Sequence, residues 1–195
     1  PDYYDWRYGE QADEITSSYL DLGALGKLAD RYPEWRPILD RARSLLESAR
    51  GPGGLFLKTY RISEGRWIDQ DSFNMIDVLY VAHHLAADGA DISDTADMIE
   101  RKWREDGLLA AAYDRDWRTV DEGISPAVYA LAYRLLAEDG RADTAAAILA
   151  AMRELSVRDE GSPWYGGFVD PNTLEAYSFD HLQGLLAESA MKSER

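Results

Sequence analysis

A chain of 195 residues, 46% of them hydrophobic, has the material for the core of one large domain or of a piece of a larger one. Its formal net charge of −15 argues against nucleic acid and anionic membrane surfaces, which demand basic patches. The absence of Cys excludes disulfides, thiol chemistry and thiolate metal sites. No apolar run approaches the ~18 residues of a membrane-spanning helix.

The chain begins at Pro1 without Met, which fits a processed or excised segment. Residues 1–12 are aromatic and polar without a period. Residues 14–32 read as a first helix, apolar at Ile15, Tyr19, Leu22, Leu25 and Leu28, and Pro33 ends it. A second helix carries one stripe, Trp35, Ile38, Leu39, Ala42, Leu45, Leu46 and Ala49, and stops at the glycines of residues 51–54. Its charged residues read as a solvated outer face. Residues 54–61 are strand-like.

A third helix over residues 71–87 is apolar on every side, with Asp69 and Asp71 at its mouth. Ser93 caps a fourth, one-striped helix on Ala96, Ile99 and Trp103. Residues 107–115 are strand or loop. The fifth helix, 125–138, has Ser125 as N-cap and Pro126 at its first position. The sixth, 141–155, shows one face of Ala145, Ile148, Leu149, Met152 and Leu155. An aromatic turn-rich loop over residues 162–173 leads to a seventh helix over 178–190.

Helices buried all round thus alternate with one-striped helices, the pattern of an all-α chain with inner and outer layers. The fold class expected is an α/α toroid of the six-hairpin barrel type, with seven helices present as a partial barrel and residues 1–195 as a single domain. A repeat supports it. Four times an acid stands three residues before a Ser at a helix start, at Glu14/Ser17, Asp69/Ser72, Glu122/Ser125 and Glu175/Ser178. The serines lie 55, 53 and 53 residues apart.

Any one such acid can simply favour the positive end of its helix. If the inner helices run parallel, however, the acids and their aromatic loops converge on one face. That face would carry Asp5, Trp6, Glu14, Trp67, Asp69, Asp71, Trp117, Asp121, Glu122, Trp164, Tyr165 and Glu175, and Tyr19 is a further candidate for substrate binding. Carboxylates among exposed aromatic rings suit a carbohydrate, since rings stack on C–H faces and acids accept hydroxyl hydrogen bonds.

Short motifs then bring a family into view: PDYYDW (residues 1–6), ITSSYLDL (15–22), DSFNMIDVL (71–79), SPAVYALA (125–132), and YGGFVDP with AYSFDHLQGLLA (165–187). The chain resembles the C-terminal part of glycoside hydrolase family 8, in its divergent bacterial branch linked to exopolysaccharide. The resemblance implies a twelve-helix barrel, an inverting mechanism, an oligo- or polysaccharide partner, and an extracellular or cell-surface location. It also implies a general acid Glu in the first half of the barrel, which has no counterpart here. The partner of this part would be the missing N-terminal half or another copy of the chain, and the isolated chain would be inactive.

Many members of that family carry a general base Asp after an aromatic at the start of the third helix seen here. Phe73 matches the aromatic, but Asn74 follows it. The base then falls to Asp71 first and Asp69 second, with Asn74 kept as a substrate contact. The alternative is a non-catalytic carbohydrate-binding or scaffold relative; a lyase or epimerase on the same fold is a third reading.

No cofactor or metal site is expected. His83 and His84 point about 100° apart on a helix and cannot share a metal, and no loop has the Asp/Asn spacing of a calcium site. No GxSxG or phosphate loop is present.

Overall fold

The computed structural model describes residues 2, 4–5, 7–170 and 173–193. Seven α-helices are present among them: α1 (Leu22–Arg31), α2 (Arg36–Ser48), α3 (Met75–Ala87), α4 (Ser93–Asp106), α5 (Pro126–Glu138), α6 (Ala142–Glu154) and α7 (Ser178–Ser193). They correspond one to one with the seven expected from periodicity. Short strands fill the connections: β1 (Tyr4–Asp5), β2 (Glu10–Gln11), β3 (Glu14–Thr16), β4 (Thr59–Arg61), β5 (Arg66–Trp67), β6 (Phe73–Asn74), β7 (Ala112–Tyr113) and β8 (Thr119–Asp121). The chain divides into two compact units, Pro1–Thr95 with Ala112–Val120, and Ala96–Ala111 with Asp121–Arg195.

In the first unit α1, α2 and α3 pack against one another, closing on Leu22, Leu39, Leu46, Leu79 and Leu85, each at most 2% exposed. The buried stripe of α2 is Leu39, Ala42 and Leu46, as its spacing predicts. Ion pairs stand at the two ends of this helix, Arg36 with Asp30 of α1 and Glu47 with Arg50.

The start of α1 differs from expectation. Residues 14–16 form β3, paired antiparallel with β4 in the register Glu14↔Arg61, Ile15↔Tyr60 and Thr16↔Thr59. Ile15 and Thr16 are β-branched and suit a strand. Asp2 fixes the edge by accepting from the Thr16 amide and hydroxyl at 2.7 and 2.6 Å. A 3-10 turn at Ser17–Tyr19 follows, and the helix begins only where Asp21 accepts from the Ala24 amide at 2.9 Å. Ser17 is therefore buried in a turn and caps no helix.

The third helix is also shorter than expected, because β6 pairs with β7 and uses the backbone of residues 73 and 74. Asn74 is its N-cap, with its Oδ1 accepting from the Ile76 amide at 2.9 Å and the Asp77 amide at 3.4 Å. Ser72 is not the cap. Asn74→Ala is expected to cost about 1 kcal/mol, the usual worth of such a cap. Urea denaturation followed by circular dichroism measures it; an unchanged midpoint would mean that the cap contributes nothing.

Nor is α3 apolar on every side. Asp77, Tyr80 and His84 form a polar seam at helical spacing. Asp77 accepts from the Ser18 hydroxyl at 2.6 Å and pairs with Lys58 at 2.8 Å. His84 Nε2 lies 3.0 Å from the Ser18 carbonyl, and its ring stands 5.9 Å from that of Tyr80. This seam fastens the 3-10 turn to α3.

In the second unit α5 packs against both α6 and α7. Nine of the thirteen α5 residues are buried, among them Tyr129, Leu131, Leu135 and Leu136; the expectation of a helix enclosed on most sides holds best here. The Tyr129 hydroxyl accepts from the Leu109 amide at 3.1 Å, and burial raises its pKa. Arg141 gathers Asp97, Glu100 and Asp139 at 2.7 to 3.0 Å, ordering the start of α6.

Candidate functional site

The expected site residues divide between the two units. In the first, the chain leaves β5, runs through residues 68–72 and enters β6 and α3, so Asp69 and Asp71 do stand just before the α3 start. Asp71 is exposed and has no hydrogen bond or ion pair among the described residues. Asp69 is engaged: Arg115 pairs with its carboxylate and also donates to the Gln70 carbonyl at 3.2 Å. Asn74 directs its side-chain oxygen at the helix amides. Tyr19, 73% exposed, presents an open ring.

Three other expectations for this unit change. Glu14 is not an open acid but pairs with Arg61 at 2.9 Å across β3 and β4. Trp67 is half-buried edge-on against Tyr60, with its indole N–H donating to Ser48 at 3.0 Å. Trp117 is only 4% exposed; its indole donates to the Gly53 carbonyl at 3.0 Å and its ring lies 5.2 Å from Tyr113. Its ring is core, with no face open to a ligand. The expectation for Trp6 lies outside the described residues, as does that for the Asp5 side chain.

In the second unit a cleft of about 360 Å³ opens where α5 and α7 begin. One wall is residues 124–126 at the start of α5. The other is formed by Phe168, Val169 and Asp170 together with Glu175 and Tyr177, and Asp180 lies at the base of α7. Asp180 was not singled out in the sequence. Its Oδ1 accepts from the Ser125 hydroxyl at 2.9 Å and the Ala127 amide at 3.0 Å, so an α7 side chain caps α5. The Ser125 hydroxyl itself makes no bond to the helix it precedes.

Glu175 accepts from the Tyr177 hydroxyl at 3.0 Å, and that bond, with the negative charge behind it, raises the Tyr177 pKa. Asp170 closes a turn by accepting from the Thr173 amide at 3.0 Å. Trp164 and Tyr165, on the same loop, are 48% and 57% exposed. Glu122 is exposed and has no partner among the described residues; the neighbouring Asp121 accepts from the Gly123 amide at 2.9 Å.

Of the four repeated acids, Glu175 alone lines this cleft. The arrangement offers carboxylate acceptors and the exposed phenol ring of Tyr177. It can grip a neutral polyhydroxyl ligand through hydroxyl hydrogen bonds and ring stacking.

No protein-family model matches the chain. It is 29% identical over 197 residues to a Bacillus subtilis (strain 168) protein named "Putative lipoprotein YdaJ", a match covering 99% of this chain and 53% of that protein. The chain therefore spans about half the length of the curated relative it matches.

Among solved structures it is similar to a novel alpha-amylase from Clostridium perfringens, with a TM-score of 0.86 and 23% identity over 92% of this chain and 55% of that one. A D-mannose isomerase gives a TM-score of 0.65 and 14% identity over 95% and 58% of the two chains. A GH8 xylobiose complex from Teredinibacter turnerae gives 0.58 and 15% over 90% and 45%. The fold is the α/α toroid, present here as a partial helical barrel. One fold carries unrelated reactions, so function is argued from the site.

Proposed function

We propose that this chain is the saccharide-binding C-terminal part of an inverting glycoside hydrolase, and that the cleft between α5 and α7 is one of its sugar subsites. The observation that carries the reading is the cleft itself, where the carboxylates of Asp170, Glu175 and Asp180 stand with the exposed ring of Tyr177. Tyr19 and Glu122 are further open contacts. In the whole enzyme Asp71 would activate water, because its carboxylate is open whereas Arg115 occupies Asp69. The resemblance to glycoside hydrolase family 8 puts the general acid in the other half of the barrel. The exposed Leu182, Leu185 and Leu186 of α7 are apolar surface for that half to cover. The name of the Bacillus relative supports a cell-surface location. No helix among the described residues is long and apolar enough to cross a membrane.

The amylase and xylobiose neighbours suggest the panel: maltohexaose, xylohexaose and cellohexaose, titrated into the chain by calorimetry while products are followed by chromatography. Binding to at least one oligosaccharide without product is expected. Silence across the panel would overturn the binding reading, and product release would overturn the need for a second half. A purely binding relative is the second reading, favoured by Asn74, whose carboxamide cannot take up a proton from water.

A further inference from the structure

We propose that neutral His181 is a positioning residue that clamps both sides of the α5–α7 cleft wall together, so that ligand affinity falls when the imidazole takes a second proton. The affinity part rests on the saccharide reading above; the clamp stands on geometry alone. His181 Nε2 lies 3.0 Å from the Phe168 amide, and Nδ1 lies 3.0 Å from the Tyr177 carbonyl. An amide can only donate and a carbonyl can only accept, so a single tautomer satisfies both, with the proton on Nδ1. Phe168 opens the 168–170 segment of the wall, and Tyr177 closes the 175–177 segment. One ring thus ties together two stretches of backbone that line the cleft, already joined to each other by the Asp170 amide donating to the Glu175 carbonyl at 2.9 Å.

Packing leaves the loop little choice of position. The Phe168 ring lies over Gly184, where a Cβ would come within 2.6 Å of it, and a Cβ at Gly167 would come within 3.2 Å of His181 Nε2. The Phe168 and His181 rings stand 5.6 Å apart. Behind them, Arg153 and Glu188 line the same small cavity but bind each other at 2.6 and 2.7 Å. Asp170, Glu175, Tyr177 and Asp180 are the charged or titratable groups on the cleft side. A proton on Nε2 would set an N–H against the Phe168 N–H, leaving that amide without its acceptor. The wall would then loosen.

The test compares the wild-type chain with His181→Gln and His181→Leu. Gln keeps an acceptor near the Nε2 position and does not titrate; Leu has none. Amide exchange of Phe168, corrected for intrinsic rate, is measured across the range where imidazoles titrate, roughly pH 5 to 8, with circular dichroism checking that each variant is folded. At neutral pH the wild type is expected to protect this amide at least tenfold and to lose that protection on acidification. H181Q should keep it throughout, and H181L should lack it throughout.

Equal acid-induced loss in H181Q, or full protection in H181L, would overturn the clamp. An oligosaccharide that binds the wild type should bind about tenfold more weakly in acid, and equally at both pH values to H181Q. Failure of every oligosaccharide to bind would remove the cleft reading and the affinity claim with it, while the exchange result would still decide the clamp.

Discussion

Gly54→Ala is expected to destabilise the first unit by on the order of 3 kcal/mol, combining left-handed backbone strain with overpacking. Gly54 has φ +79°, and a Cβ there would sit 2.4 Å from the Thr95 amide nitrogen and 2.6 Å from the Asp94 carbonyl carbon. These are backbone atoms at the start of α4 and cannot swing aside. The same approach lets the buried Thr95 hydroxyl donate to the Gly54 carbonyl at 2.7 Å, a bond that displacement would break.

Gly107 is the built-in control: Gly107-Leu108 follows Gly54-Leu55 by 53 residues, the spacing of the repeated serines. Gly107 has φ +68°, but beyond its chain neighbours no heavy atom of the described residues lies within 4 Å of its Cβ position. Gly107→Ala should therefore cost only about 1 kcal/mol, the conformational part. Urea unfolding of both variants reads the difference. Equal losses would mean that close packing against α4 does not explain Gly54.

Asp180→Ala carries the second large effect, expected at about 2 to 3 kcal/mol. It strips the acceptor from the Ser125 hydroxyl and from the amide of fully buried Ala127, and an unsatisfied buried donor costs ~1–3 kcal/mol. Asp180→Asn keeps an oxygen acceptor and should recover much of the loss. A change below ~0.5 kcal/mol, typical of an ordinary surface position, would show that the α7 side chain does not hold α5.

These sites show what the sequence exposes and what it hides. The seven helices were legible because burial leaves a 3.6-residue stripe: Leu39, Ala42 and Leu46 in α2, and Ala145, Ile148, Leu149 and Met152 in α6, were readable as faces before any fold was known. The start of α1 was not, because residues 14–16 pair with residues 59–61 and local periodicity carries no record of such a partner. Asp180 caps a helix that begins 54 residues before it, and Asp77 is held by Ser18, 59 residues away.

The repeated acids illustrate the same limit. Their spacing was visible, but their fates are set by distant cations: Arg61 takes Glu14 and Arg115 takes Asp69. Glu175 keeps a cleft beside it. Trp117 was expected among the rings of the acidic face, yet its indole reaches back to Gly53 and its ring joins the core. Polar residues at helix starts signal both caps and sites, and only the tertiary partner tells them apart.

If the α5–α7 cleft holds a sugar, two-dimensional NMR of the chain titrated with the oligosaccharide that binds it best will locate it there. Shift changes should concentrate on residues 122–127 and 164–181. Glu175→Gln should weaken binding roughly tenfold, in line with the ~1.5–3 kcal/mol of a hydrogen bond to a charged group, without altering the fold. Shifts confined to residues outside those stretches, with Glu175→Gln binding as the wild type does, would contradict a sugar in that cleft.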